Sequence, residues 1–176
     1  MQYHHYEKDA QSLAIHASVC SKMSTVYLWG GLGEVITEEL IQKKQLEYPS
    51  HYTDAFCDEL RKLIDRGVRG YDCSGLIKSF LMGGLPNYSY DPAYDLNSKS
   101  LLNHSKTKGK ISTMPEYRGI CLYLPGHVGI YMGNGNVIES TNNIRFGNGV
   151  VNTKLEDREW TDWFCCPFLE YPGFPF

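Results

Sequence analysis

Residues 127–140, HVGIYMGNGNVIES, constrain the fold more than any other stretch of the chain. Two apolar runs flank Gly133-Asn134-Gly135. An Asn-Gly pair readily adopts the positive φ angles of a tight hairpin turn. The stretch therefore predicts two antiparallel strands. RGICLYL (118–124) before it and VVNTKL (150–155) after it also alternate or run apolar. The aromatic tail, WTDWFCCPFLEYPGFPF (160–176), reads as a last strand and a packed C-terminus.

The first half of the chain has the other period. Residues 9–22, 34–46, 53–66 and 72–81 place apolar side chains at helical spacing. Asp9 stands where the first helix needs a cap, and Phe56, Leu60, Leu63 and Ile64 share one face of the third. Gly83-Gly84 and Pro86 stop the fourth. Between the first two helices, YLWGG (27–31) is a strand fragment ended by a glycine pair. Residues 87–110 are rich in turn residues and predict a surface loop with one short helix near 93–104. The stretch KTKGK (106–110) within it is expected to be a solvated basic segment. Helices followed by an antiparallel meander give the α+β class, as a single domain over 1–176.

Charge and cysteine usage exclude several function classes. The 176 residues carry 17 Lys+Arg against 20 Asp+Glu, a net charge of −3, which lacks the basic excess of a nucleic-acid binder. No apolar run approaches the ~18–20 residues of a membrane span. The opening MQYHHYEKDAQS has no basic-then-apolar leader pattern. The expectation is synthesis in the cytoplasm, or a chain that starts after a removed leader. Six cysteines, at 20, 57, 73, 121, 165 and 166, form no C-x-x-C pair, so a zinc site has no support and the thiols are read as reduced.

Cys73 is the residue that points to chemistry. It stands where an extended entry meets the start of the 72–81 helix. First-turn N–H groups lack helix partners and the macrodipole is positive there, both of which favour a thiolate. A thiolate nucleophile needs a base within reach, and the base needs an orienting group. Of six histidines, His4 and His5 lie at the terminus, His16 on a helix face, and His51 and His104 in polar loops. His127 opens a strand beside a tight hairpin and is the leading base.

In this order, YLWGG, YDCSGLIKSF and GHVGIYMGNGNVIES resemble the NlpC-type family of papain-like cysteine peptidases, which cut bacterial cell-wall peptides. The resemblance implies a papain-like α+β fold, with the nucleophile helix packed on an antiparallel sheet that carries the histidine. It implies Cys73 as nucleophile, His127 as general base and Glu139, on the hairpin's return strand, as the orienting third residue. That position is commonly His, Asn or Gln in the family; a carboxylate can also orient an imidazole and stabilise the imidazolium. Tyr27 falls where the family lines its cleft with a tyrosine. Asp72 and Ser74 fall where it contacts the free amine of the substrate, although Asp72 reads equally well as a helix cap. The segment 32–68 is long for the family and is expected to be a helical insertion at the cleft wall.

The activity implied is endopeptidase cleavage of peptidoglycan stem peptides at γ-D-glutamyl to diaminopimelate or lysine, endolysin-like, by a monomer without metal or organic cofactor. Two alternatives use the same residues differently: an N-acetylmuramoyl-L-alanine amidase or acyltransferase with the same thiol, or a non-catalytic wall-peptide binding module. In each case the chain acts on the wall after release or export.

Hairpin parity adds one geometric expectation. A regular two-residue Asn134-Gly135 loop places Glu139 opposite Ile130, on the face away from His127. An odd-length loop or a bulge places it opposite Gly129, on the same face as His127. A base and its orienter require the second arrangement.

Overall fold

The computed structural model describes residues 7–86 and 88–175; His4 and His5 lie outside the described residues. Helix α1 (Ala10–Cys20) starts at Asp9, whose carboxylate accepts a hydrogen bond from the Ser12 N–H at 2.7 Å. Strand β1 (Thr25–Tyr27) follows. Where the sequence predicts a helix from residue 34, the chain first forms strand β2 (Leu32–Val35), and the helix α2 (Glu38–Glu47) starts behind the Thr37 cap. The cause is tertiary: β2 pairs antiparallel with β3 (Arg69–Tyr71), which also pairs in parallel with β1. The segment 32–68 is thus not wholly helical. Helix α3 (Asp54–Arg61) is shorter than its apolar spacing suggests, since Asp65, at φ +64°, lies outside helical backbone.

Helix α4 (Cys73–Leu81) leads through a turn-rich stretch to α5 (Ser98–His104). Six strands then form an all-antiparallel sheet: β4 (Lys108–Lys110), β5 (Cys121–Leu124), β6 (His127–Gly133), β7 (Asn136–Thr141), β8 (Gly149–Lys154) and β9 (Asp162–Phe164). Their spatial order is β4-β9-β5-β6-β7-β8. The basic stretch expected to be solvated loop contributes β4 as an edge strand on β9, with Lys108 and Lys110 still exposed. Such charged edges discourage pairing with other chains.

Alternation along β6 sorts its side chains between the two faces of this sheet. Val128 and Ile130 join Leu13, Leu76, Ile77 and Phe80 in a core under α1 and α4, while Tyr131 joins Leu122, Trp160, Trp163 and Phe174 on the far face. Each fully buried Leu or Ile contributes about 1.5–3 kcal/mol. A third cluster, with Ile36, Ile41, Tyr52 and Leu60, fixes α2 and α3 to the small sheet.

The hairpin contains both features weighed in the sequence. Gly133 pairs with Asn136, so Asn134 and Gly135 form a two-residue turn, at φ +52° and +70°. The register then shifts between Tyr131 and Gly133, leaving Met132 as an extra residue, and continues as Tyr131 with Val137 and Ile130 with Ile138. This bulge turns Glu139 to the face of His127.

Candidate active site

The N-terminus of α4 is clamped by local chemistry. The Asp72 Oδ1 accepts the Gly75 N–H at 2.5 Å and the Ser74 hydroxyl at 3.0 Å, and its Oδ2 accepts the Gly30 N–H at 2.9 Å. All three donors belong to the chain, so the carboxylate is occupied as a cap and Ser74 is turned into it. Gly75 is glycine for a steric reason: a Cβ there would lie 1.9 Å from the Gly31 carbonyl oxygen. The turn 28–31 therefore seats directly on the helix start. Lys44 of α2 secures that turn from behind, donating to the Gly30 carbonyl at 2.6 Å. This is how the 32–68 segment reaches the site.

Cys73 is the first residue of α4, and its Sγ lies 3.9 Å from the Gly126 carbonyl oxygen, at the entry to β6. Burial and then the neighbouring Asp72 carboxylate push the thiol up to about 12, against the opposing pull of the Val128, Ser74 and Cys73 N–H groups. Burial thus works against the thiolate expected from the helix N-terminus. Helix-end effects are worth ~0.3–1 kcal/mol, and desolvation of a buried anion exceeds that. Tyr27 is half-buried nearby. Burial, followed by the proximity of Cys73 and Asp72, raises its phenol, which therefore keeps its proton as a donor.

His127 and Glu139 are in direct contact, with Nε2 at 2.5 Å from Oε2. Trp160 stacks on the imidazole, with centroids 5.7 Å apart and planes at 18°. Glu139 is fully buried, and two partners that the sequence reading missed balance it. Arg158 donates to Oε2 at 2.6 Å and to Oε1 at 3.2 Å, and the Thr153 hydroxyl donates to Oε1 at 2.7 Å. Burial pushes the carboxyl up, but hydrogen bonds from His127, Arg158 and Thr153 outweigh it and hold the group below its ordinary value. The signal available in sequence was general: a carboxylate on an apolar strand needs a cation. Which of 17 cationic residues supplies it is a tertiary fact.

The structure therefore brings His127, Glu139 and Arg158 into one hydrogen-bonded group and sets Cys73 beside the backbone at the start of the strand that carries His127. Cys73 and His127 are not hydrogen-bonded to each other. Among the described residues, the other histidines are engaged elsewhere: His16 in the α1–α4 interface with Ser79, His51 against Trp29, and His104 on the Ser100 carbonyl. All six cysteines are free and buried. Among the described residues, no group of three His, Cys, Asp or Glu is placed to hold a metal ion, and no helix is long and apolar enough to cross a membrane.

Two open cavities flank the site. One, of about 450 Å³, is lined by Tyr27, Trp29, His51, Phe56, Asn142 and Asn148. The other, of about 600 Å³, includes Leu124, Pro125, Arg145, Phe146 and Arg158. The segment 142–148 borders both.

Two solved structures share this architecture. The peptidoglycan hydrolase RipB from Mycobacterium tuberculosis matches over 92% of this chain and 67% of its own, at 19% identity and a TM-score of 0.50. The P60 domain of the antigen MAP1204 from M. avium subspecies paratuberculosis matches over 92% of this chain and 98% of its own, also at 19% identity and a TM-score of 0.50. No family model and no curated protein matches the chain by sequence. At this identity the likeness is one of fold, and it agrees with the motif resemblance: the chain has the papain-like α+β fold of NlpC-type cell-wall hydrolases.

Proposed function

We propose that this chain is a cysteine hydrolase of cell-wall stem peptides, with Cys73 as nucleophile and His127 as general base. The observation that carries the reading is the His127–Glu139 contact at 2.5 Å, which the Met132 bulge makes possible, on the strand whose entry abuts the Cys73 sulfur. Burial favours the protonated thiol, so attack and deprotonation go together. The Cys73 proton passes to His127 as sulfur bonds to the substrate carbonyl carbon. His127 Nε2 is held by Glu139, which leaves Nδ1 for this transfer. The developing oxyanion meets the Cys73 N–H, one of the first-turn donors without a helix partner, and the Tyr27 hydroxyl. The C–N bond then breaks as His127 protonates the leaving amine. Water, deprotonated by the same imidazole, resolves the thioester and regenerates the thiol.

Glu139 and Arg158 together form a neutral pair, so the imidazole faces an orienting group without the full field of a lone carboxylate. This is how the site accepts Glu at a position commonly His, Asn or Gln in the family it resembles. The bond we assign is γ-D-glutamyl to diaminopimelate or lysine. Digestion of both wall types followed by mass spectrometry tests it. Cys73→Ala and His127→Ala should each retain less than ~1% of the cleavage rate. Full cleavage by either variant refutes the assignment, and product masses from an L-alanine amidase or an acyl transfer replace the bond while keeping the thiol.

A further inference from the structure

We propose that the cavity beside Tyr27 is a binding site for a neutral N-acetylhexosamine ring, the wall sugar to which a stem peptide is attached. The role of that peptide rests on the hydrolase reading above; the sugar site itself stands on the cavity's own chemistry. Trp29 is 44% exposed, unusual for the largest apolar side chain in a folded domain. One face of its indole is covered by His51, stacked at 4.1 Å with planes 9° apart, and both rings line the cavity. The platform is held in place: the Tyr52 hydroxyl donates to the Trp29 carbonyl at 2.6 Å. Phe56 extends the aromatic wall.

The polar groups opposite are amides. Asn148 Oδ1 accepts the Tyr27 N–H at 2.9 Å, which fixes the side chain and leaves its NH₂ to donate. Asn142 is exposed on the same rim. Among the described residues, no Asp, Glu, Lys or Arg lines the cavity, whereas the cavity on the His127 side carries Arg145, Asp157, Arg158 and Glu159. A charged peptide segment fits the second lining better than the first. A pyranose ring presents a C–H face that stacks on an aromatic plane, and hydroxyl and acetamido groups that pair with amides. Ligand sites combine an aromatic surface with a few placed polar groups in this way. Tyr27 lines the cavity and lies in the neighbourhood of Cys73, so a sugar-linked peptide can reach from one to the other.

The test uses the Cys73→Ala protein and the disaccharide of N-acetylglucosamine and N-acetylmuramic acid, without peptide and with the lactyl carboxyl capped as its methyl amide, so that the probe is neutral. Trp160 and Trp163 are 5% and 8% exposed, so Trp29 dominates the solvent-sensitive fluorescence. A saturable change with Kd on the order of 1 mM is expected. Isothermal titration calorimetry should show the binding lost in Trp29→Ala, and the fluorescence change should weaken in Asn142→Ala, an exposed position whose replacement does not threaten folding. Absence of a response in the parent, or an equal response to the free peptide, overturns the proposal. A second arm compares turnover of one stem peptide with and without the sugar. The wild-type protein should prefer the linked form by ~10-fold in KM, and Trp29→Ala should lose that preference. Equal losses on both substrates would make Trp29 structural and overturn the sugar site. If neither substrate is cut, the hydrolase reading fails, while the titration still decides the sugar site.

Discussion

Replacing Arg158 with methionine would isolate how the fold tolerates a carboxylate on the sheet. Glu139 is fully buried, and Arg158, whose side chain is 14% exposed, makes bonds of 2.6 and 3.2 Å to it. Removing one partner of a buried pair costs about 3–5 kcal/mol. Methionine keeps part of the packing against Phe146, over which the guanidinium sits at 4.4 Å, so the lower end, ~3 kcal/mol, is expected. For a domain of this size that is a drop of ~6–12 °C in Tm near neutral pH.

The pH dependence fixes the cause. Burial raises the Glu139 carboxyl and the hydrogen bonds from His127, Arg158 and Thr153 lower it further than burial raises it, so its net shift is downward. A carboxyl lowered on folding stabilises the fold above its ordinary range, and loses that contribution as pH falls through the lowered value. Without Arg158 burial prevails, and the acid accepts a proton at little cost as pH falls. The deficit of Arg158→Met should therefore be largest near pH ~7 and shrink toward pH ~4. Urea melts of the wild type, Arg158→Met, Glu139→Gln and the double variant measure it. The cycle should show a coupling of ~2 kcal/mol, because the double variant buries no unpaired carboxylate. A deficit below ~1 kcal/mol near neutral pH, a deficit independent of pH, or an additive cycle would refute the reasoning.

In the substrate-free protein, a Cys73 thiol pushed up to about 12 should alkylate slowly with iodoacetamide near pH ~6 and faster as pH rises. Peptide mapping of the label checks this, and rapid labelling at the acid end would contradict the burial argument. Gly75→Ala drives a Cβ to 1.9 Å from the Gly31 carbonyl oxygen, so a loss of ~3 kcal/mol or failure to fold is expected, read by urea melts. Deleting Met132 removes the bulge but keeps Tyr131 opposite Val137, so Glu139 stays on the face of His127 and wall-peptide cleavage should persist within ~10-fold. Loss of cleavage in a deletion variant that still folds would show that the bulge does more than set parity.

What was legible in the sequence was what neighbouring residues decide among themselves. Asp72-Cys73-Ser74-Gly75 builds its cap and helix start within four positions, and α1 begins at the Asp9 that its spacing marks. β2 and β4 were not legible, because Leu32–Val35 and Lys108–Lys110 become strands only by pairing with β3 and β9, distant in the chain. The protonation of Cys73 and the choice of Arg158 as the counter-ion of Glu139 depend on burial and on a loop 19 residues away, so local pattern could not supply them. The hairpin stands between these cases. Local propensity favours the Asn134-Gly135 turn, and the turn forms, yet a regular turn would send Glu139 to the wrong face. Strand side chains alternate with period two, so one residue decides the face. The requirement that base and orienter meet therefore called for an odd count somewhere in the hairpin. The chain meets it at Met132, one step before the turn, where both the preferred turn and the His127–Glu139 contact are kept.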